Sequence, residues 1–261
     1  MPSRRLQEVK AGAWHAKILN PKPRDPQTYQ EAVQSPDNIQ WHAAMEDQIR
    51  SLIENNTWVL VKRSDVSKRH RILPGKWIYT WKRKPIKFKA RWVIKGFRQR
   101  YEVDYFETYA AVAKPMSYKI IIALAAYYGL VVHQMDVKSA FLNGELDEEI
   151  YMESPDGFKE GEDLIYRLLK SLYRLKQSPR IWAKVLRFFL KEYNLVKLES
   201  DHCIFISRNT GIIIAIYVDD LLLIRPTTES LQNLKDKLTK RFNMIDMSLA
   251  EDYFGIKISQ Q

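Results

Sequence analysis

The sequence predicts an α+β protein in which helices are interspersed with antiparallel hairpins. Apolar residues recur at helical spacing in several segments, and short runs rich in β-branched residues lie between them. One such run, residues 212–224, continues through two adjacent acids, which predicts a strand, a tight turn and a returning strand. Hairpins mixed with helices favour an α+β fold over a doubly wound parallel sheet.

The first half of the chain begins with a basic segment dotted with proline, residues 1–24, for which we predict a flexible lead-in. Asp25-Pro26 and Asp37 then precede two stretches of helical periodicity, and Asn55-Asn56 ends the second. Two strands follow, separated by a polar loop that ends in Pro-Gly. The predicted elements are helices at 28–32 and 38–54 and strands at 57–61 and 76–81.

The second half opens with a helix over residues 117–128 that is apolar at most positions, so we expect it to be buried. Gly129 ends it. Pro179 introduces a later amphipathic helix, and an Asn-Thr-Gly turn joins two of the strands. The remaining predicted elements are strands at 131–137, 203–206, 212–224 and 254–258 and helices at 181–193 and 229–242.

The chain is strongly basic, with 42 Lys and Arg against 31 acids among 261 residues and a net charge of +11. Polyanions are natural partners of such a surface, although a merely solubilising surface would have the same composition. Residues 82–91 concentrate this charge, and Trp81, Phe88 and Trp92 interleave with it. This pattern predicts a hairpin that faces nucleic acid; the alternative is a solvated edge strand guarded by lysine.

Cysteine content and hydropathy exclude several classes of protein. With Cys203 as its one cysteine, the chain has no internal disulfide, which fits a reducing compartment. We find neither a signal-peptide core at the start nor an apolar stretch long enough to span a bilayer. We therefore expect an intracellular protein of the cytoplasm or nucleus, not secreted and without a membrane partner. Because His133, His202 and Cys203 lack zinc-type spacing, we interpret them as structural.

Three aspartates lie where apolar strands should be buried. Asp219 and Asp220 interrupt the run 212–224, and Asp136 lies near the end of the strand 131–137. Ionised carboxylates are costly to bury unless they are paired or bind metal. Two such strands could converge on a divalent cation such as Mg²⁺, which prefers carboxylate and phosphate oxygens. The alternative for the adjacent pair is a hairpin turn with two solvated acids.

At these residues the sequence resembles the reverse transcriptase domain of copia-type LTR retrotransposons. The resemblance covers residues 25–258, and its many blocks stand in order at family-like spacing. These blocks are WHAAMEDQI (41–49), NNTWVLV (55–61), KARWVIKGFRQ (89–99), DYFETYAAVAK (104–114), HQMDVKSAFLNGELDEEIYM (133–152), SLYRLKQSPRIW (171–182), YVDDLLL (217–223) and YFGIKI (253–258).

The resemblance implies a right-hand polymerase with fingers and palm subdomains, an antiparallel palm sheet backed by helices, and no thumb. It divides the chain into fingers at 25–112 and 144–180 and palm at 113–143 and 181–261, which ends in the primer grip. The implied activity is RNA-directed DNA synthesis on an RNA or DNA template with a primer, using dNTPs.

The resemblance also implies the catalytic residues. Asp136, Asp219 and Asp220 form an acid triad that binds two Mg²⁺ ions, for which Mn²⁺ is a possible substitute. Asp136 and Asp219 are the more direct ligands, and the Val137 carbonyl is a further one. Two metals held by shared carboxylates can activate a primer 3′-hydroxyl and stabilise the leaving pyrophosphate.

Other residues are implied to contact nucleotide or primer. Those assigned to the nucleotide are Lys89, Arg91, Lys138, Ser139, Ala140, Phe141 and Gln177. Those assigned to the primer terminus and primer grip are Tyr217, Phe254, Gly255 and Ile256. Phe141 matches the steric gate that excludes a ribose 2′-hydroxyl, but a core aromatic has the same signature. Lys89 and Arg91 match cations that meet the triphosphate, or they could contact only the phosphate backbone.

Several positions depart from the family pattern. Glu102, Arg174 and Ser248 stand where glycine is usual, and arginine at a position that needs a positive φ would be strained. The basic hairpin is short, Ala111 replaces a proline, and Lys119 stands at a usual arginine. No thumb, RNase H, integrase or protease sequence accompanies the match. Two hypotheses follow: a working polymerase core, or an inactive, truncated remnant that folds and binds nucleic acid through its basic surface.

Overall fold

A computed structural model describes residues 24–83 and 86–260. The predicted lead-in, residues 1–24, lies outside the described part except for its last residue. The helices are α1 (Tyr29–Gln34), α2 (Asn38–Glu54), α3 (Pro115–Tyr128), α4 (Ser178–Glu192) and α5 (Glu229–Phe242). The strands are β1 (Trp58–Lys62), β2 (Ile72–Leu73), β3 (Gly75–Arg83), β4 (Ile86–Ile94), β5 (Val131–Val137), β6 (Glu145–Met152), β7 (Leu164–Lys170), β8 (Val196–Lys197), β9 (Ile204–Ile206), β10 (Ile213–Tyr217), β11 (Asp220–Arg225), β12 (Met244–Leu249), β13 (Asp252–Tyr253) and β14 (Ile256–Lys257). The predicted α+β content is thereby confirmed.

The larger sheet is antiparallel and has the strand order β12-β5-β11-β10-β9-β8. Helices α4 and α5 pack on one face, where Met135 and Leu221 join their apolar residues. Helix α3 and the β13–β14 hairpin pack on the other face against Val132 and Leu222. Since successive strand residues point to opposite faces, β5 and β11 contribute to both cores from the centre of the sheet.

A smaller sheet, β1-β7-β6-β2, and the separate β3–β4 hairpin share a third core with α1 and α2. The sequence did not predict β6 and β7. The first half of β6 is Glu-Leu-Asp-Glu-Glu, which lacks the β-branched residues typical of strands and is largely exposed. Its strand conformation depends on pairing with β7, a partner more than ten residues away.

The predicted burial of α3 is wrong. Only one side of the helix, with Tyr118 and Ile121, faces the sheet, whereas Met116 is 64% exposed and Tyr127 is 81% exposed. A helix that is apolar on nearly every position has no polar face to indicate which side meets the core. None of the described helices is both long and apolar enough to cross a membrane.

Two turns also differ from the prediction. The final strand predicted at 254–258 is instead the short hairpin β13–β14, whose loop residues Phe254 (φ 50°) and Gly255 (φ 78°) both have positive φ. Positive φ at both positions is the type I′ turn that matches strand twist. In the hairpin β10–β11, the loop residues are Val218 and Asp219, so Asp220 already belongs to β11.

All three residues that replace a usual glycine have a left-handed backbone. The φ angles are 65° at Glu102, 72° at Arg174 and 62° at Ser248. Ser248 lies where the β12–β5 register shifts, a position at which bulges favour glycine. The strain expected at Arg174 is therefore present, and the other two positions share its cause.

A buried polar network fastens β12 and α5 to β5. Lys235 Nζ lies 2.6 Å from His133 Nδ1 and donates to both oxygens of Asp246 at 3.0 and 2.8 Å. Burial and the charge of Lys235 lower the pKa of His133, which keeps that ring neutral and able to accept. His133 therefore has structural partners, as the sequence predicted for it.

Candidate active site

Two of the three aspartates are direct neighbours across the central strand pair. Asp136 on β5 stands opposite Asp220 on β11 in the antiparallel register. Paired residues of adjacent strands point to the same face, so both carboxylates emerge on the α3 side of the sheet. Gln134, two residues before Asp136 on that face, donates to Asp220 Oδ1 at 3.2 Å.

The third aspartate is held by the turn. Val218 has a φ of 55° and Asp219 has a negative φ, which defines a type II′ turn. The Asp219 carbonyl accepts from the Val137 amide at 2.9 Å, so this residue is tied to the end of β5 beside Asp136. Its Oδ1 atom is buried and has no hydrogen-bond partner among the described residues.

The three carboxylates repel one another. Burial raises the pKa of Asp219 to about 6, and the charges of Asp136 and Asp220 act in the same direction. Burial also raises the pKa of Asp220, and Asp136 adds to this, while the Gln134 hydrogen bond opposes it. A cluster of this kind favours protons or cations, because either relieves the repulsion.

Two predicted cations of the basic hairpin face this cluster. Arg91 and Lys89 on β4 lie close enough to lower the pKa of Asp219, against the effect of burial. Burial and the charges of Arg91, Lys87 and Lys82 lower the pKa of Lys89, while Asp136 raises it. The tertiary structure thus brings the hairpin cations and the aspartates within electrostatic reach of one another, in the candidate cleft, although they are distant in the sequence.

Sequence reasoning missed Tyr173, whose ring contacts both Arg91 and Phe141 and whose hydroxyl is influenced by Asp219. The Arg91 guanidinium sits 5.5 Å from the centre of its ring, and Phe141 packs edge-on against it at 4.8 Å. Burial and the charge of Asp219 raise the pKa of Tyr173 to about 12, so its hydroxyl stays a donor at neutral pH. The signal available was its place in the SLYRLKQSP block, four residues before Gln177.

Gln177 itself does not reach the cleft. It is 1% exposed, and its amide donates to the Asp104 carbonyl at 2.9 Å while its oxygen accepts from Gln99 at 3.0 Å. These contacts join the start of α4 to the loop that follows β4. The structure therefore gives Gln177 a supporting position in the loop that carries Tyr173.

The segment after Asp136 turns sharply away from the sheet. Lys138 is exposed and its amide donates to the Asn243 carbonyl at 3.3 Å. Ser139 has a φ of 55°, and Ala140 begins a short 3₁₀ helix. Phe141 in that helix is buried except for a small part of its ring, and it joins the core below α4.

The residues assigned to the primer form an aromatic cluster on the same face of the sheet. Tyr217, just before the turn, lies with its ring centre 4.2 Å from that of Phe254. Phe254 at the tip of the β13–β14 hairpin is 46% exposed and also contacts Tyr118 and Tyr253. Ile256 packs against the core on this face of the sheet, while Gly255 permits the turn.

The carboxylates fit a hard divalent cation by their chemistry. The buried, unpartnered Asp219 oxygen and the mutual repulsion of the acids are both relieved by a bound cation. In the described part of the chain, no three His, Cys, Asp or Glu side chains are already gathered at ligand distance.

Comparison with known proteins identifies the class. Residues 55–261 match the sequence model of the family described as reverse transcriptase (RNA-dependent DNA polymerase). The match covers most of the chain, and the chain belongs to this family. Its relatives are Pol polyproteins of copia-type retrotransposons.

Three relatives illustrate the relationship. The Retrovirus-related Pol polyprotein from transposon TNT 1-94 of Nicotiana tabacum is 38% identical over 253 residues, which are 94% of this chain and 19% of that polyprotein. The polyprotein from transposon RE2 of Arabidopsis thaliana is 36% identical over 234 residues, 87% of this chain and 16% of the relative. The transposon Ty1-MR1 Gag-Pol polyprotein of Saccharomyces cerevisiae is 26% identical over 84% of this chain and 13% of its own length. The chain thus spans less than a fifth of each relative.

Proposed function

We propose that this chain is the core of an RNA-directed DNA polymerase that adds dNTPs to a primer 3′-hydroxyl on an RNA or DNA template. The observation that carries the proposal is the single cleft in which Asp136, Asp219 and Asp220 face Lys89 and Arg91. Carboxylates that bind metal ions, placed opposite basic side chains that bind phosphates, suit phosphoryl transfer better than a purely structural role.

In this proposal Asp136 and Asp219 hold two Mg²⁺ ions most directly, with Asp220 less direct and the Val137 carbonyl as a further ligand. When bound, such ions activate the attacking hydroxyl and stabilise the leaving pyrophosphate. Lys89 and Arg91 offset the charge of the triphosphate, and the backbone of 138–140 lies along it. Tyr173 orients Arg91 and forms the floor between that guanidinium and Phe141.

The primer end of the cleft is formed by the aromatic cluster. Tyr217 contacts the terminal nucleotide, and the hairpin tip at residues 254–256 supports the primer strand. The same proposal divides the chain into fingers at 25–112 and 144–180 and palm at 113–143 and 181–261. The three cores described above support this division, because one belongs to the smaller sheet and the other two to the larger sheet.

Primer extension tests the proposal. The purified chain is given oligo(dT)-primed poly(rA) with dTTP, first with Mg²⁺ and then with Mn²⁺, beside an Asp219→Asn variant. Metal-dependent extension that the variant lacks is the expected result. If a folded sample binds this primer–template and extends nothing with either ion, the proposed activity is wrong, and nucleic-acid binding is what remains.

Phe141→Val is expected to weaken discrimination between dNTPs and rNTPs by about tenfold to 100-fold, because a smaller side chain leaves room for a 2′-hydroxyl. The measurement is the ratio of kcat/KM for dTTP and UTP. Phe141 also belongs to the core, so loss of about 1 to 2 kcal/mol of stability accompanies the change. Phe189→Val, which alters the same core away from the cleft, is the control and should leave the ratio unchanged; an unchanged ratio in Phe141→Val would contradict the steric-gate role.

A further inference from the structure

The turn that carries Asp219 has an unfavourable backbone. Val218 occupies the first loop position of the type II′ turn with a φ of 55°. This position normally takes glycine, and a β-branched residue there is a true outlier. Since the Val218 side chain is 40% exposed, its own burial gives limited compensation for this conformation.

One side chain contacts the backbone of this turn from below. Trp182 on α4 donates from Nε1 to the Val218 carbonyl at 2.8 Å. The indole is buried and packs edge-on against Phe242 with ring centres 5.2 Å apart. It therefore approaches the turn from a helix that is itself fixed in the core beneath the sheet.

Side-chain packing does not fill the space beside this turn. A small cavity of about 70 Å³ lies beside the indole and Val218, and Leu186, Phe205 and Ile216 also line it. Side chains next to unfilled space are less restricted than those in a close-packed core. The Nε1 hydrogen bond is thus the directional contact that reaches the Val218 carbonyl, while the Val137 amide holds the carbonyl of the next residue, Asp219.

This hydrogen bond selects between two turn types. Types I′ and II′ share a positive φ at the first loop residue and differ in the sign of φ at the second. They interconvert by rotation of the peptide group between the two residues, here the Val218 carbonyl and the Asp219 amide. Rotation would turn the carbonyl away from Trp182, break this hydrogen bond and put Asp219 itself at a positive φ.

We propose that Trp182 is a positioning residue for catalysis: its Nε1 hydrogen bond holds the Val218–Asp219 peptide in the type II′ form and so fixes the backbone that carries the Asp219 carboxylate. This inference rests on the proposed function for its catalytic consequence. The effect of the hydrogen bond on the conformation of the turn does not depend on the proposed activity.

The test compares Trp182→Phe with Trp92→Phe. Trp92 is an equally buried tryptophan in the core of the smaller sheet, and its Nε1 has no partner among the described residues. Its variant therefore loses an indole without losing a hydrogen bond. Amide hydrogen exchange of residues 217–221 is expected to quicken about tenfold in Trp182→Phe and to stay unchanged in Trp92→Phe. Unchanged exchange in both would overturn the proposal.

Two further measurements test the catalytic consequence. In Trp182→Phe we expect the Kd for Mn²⁺, measured from the spin resonance of free ion, to rise about fivefold to tenfold. We expect kcat to fall about tenfold while the KM for dTTP stays within about twofold, the pattern of a group that acts mainly in the transition state. Equal losses in both tryptophan variants would instead indicate a merely structural role for Trp182.

The outcomes separate the two proposals. If the wild-type chain neither binds Mn²⁺ nor extends a primer, the proposed function fails, while hydrogen exchange still decides whether Trp182 holds the turn. If Trp182→Phe does not fold, 3-benzothienylalanine at position 182 keeps the ring shape and removes only the N–H. The same acceleration of exchange is then expected, and its absence would contradict the inference.

Discussion

Asp219→Asn is expected to abolish primer extension, by at least about 10³-fold, and at the same time to stabilise the metal-free fold at pH 8. The first effect follows from its place between Asp136 and the hairpin cations. The second follows from the raised pKa of this carboxyl, because the ionised form is less favourable in the fold than in water. Function and stability therefore oppose each other at this residue.

Ionisation of Asp219 makes the fold less stable as pH rises. The pKa rises from 3.8 in the unfolded chain to about 6 in the fold, so between these values the folded state binds more protons. Stability contributed by the protonated carboxyl is thus lost as pH rises through this window. A pKa shift of this size corresponds to about 3 kcal/mol of stability. Because solvent screens this half-exposed carboxyl, we expect a contribution of about 1 to 2 kcal/mol.

Urea unfolding at pH 4 and pH 8 without metal measures the effect. Asp219→Asn should exceed the wild type by about 1 to 2 kcal/mol at pH 8 and equal it near pH 4. The exposed Asp236→Asn on α5 serves as control and should leave both values unchanged. Addition of Mg²⁺ should stabilise the wild type and the Asp236→Asn control but not Asp219→Asn. A gain of the same size at both pH values would show that the carboxyl charge is not its cause.

Restoring glycine at positions 102, 174 and 248 is expected to raise the free energy of unfolding by about 2 kcal/mol in the triple variant. A left-handed backbone costs an ordinary residue about 1 to 2 kcal/mol, and glycine avoids that cost. Glycine also makes the unfolded chain more flexible, which offsets about 0.4 to 1 kcal/mol at each site. The net gain is therefore about 0.5 to 1 kcal/mol per position, and the thermal midpoint should rise by about 4 to 8 °C.

Substitution by glycine at an asparagine that already has a positive φ provides the control. Asn194 has a φ of 57°, and asparagine tolerates this region better than glutamate, arginine or serine. Asn194→Gly should therefore change stability by only a few tenths of a kcal/mol. The explanation by backbone strain is wrong if the triple variant is no more stable than the wild type while it remains folded.

Local patterns were sufficient where an element is decided by its own residues. The bounds of β5 and α5 agree with the periodicity of their segments, and Gly129 ends α3 with a left-handed residue as predicted. Elements whose strand character depends on a distant partner, such as β6, were not predicted because their own residues do not favour that conformation. The burial of α3 was wrong for a related reason: its apolar residues outnumber the positions that the sheet can cover.

The candidate site likewise combines features that local sequence predicts with features that depend on distant contacts. Each aspartate could be recognised from its place in an apolar strand, and the resemblance to copia-type reverse transcriptases named their partners. The block SLYRLKQSP marked the segment of Tyr173 but not its role, since that role depends on contacts with Arg91 and Phe141 from two other elements. Likewise, the burial of Gln177 depends on its hydrogen bonds to the loop after β4.

The sequence by itself determined the family, the apolar strands and the hairpin that carry the aspartates, and the three positions where another residue replaces a usual glycine. Those features are set by periodicity and residue type over short stretches of chain. Only the tertiary structure decided that Asp136 stands opposite Asp220, that Trp182 supports the turn of Asp219, and that Tyr173 lies beneath Arg91. These are contacts between segments far apart in the chain, whose register and packing are set by the cores they share rather than by neighbouring residues.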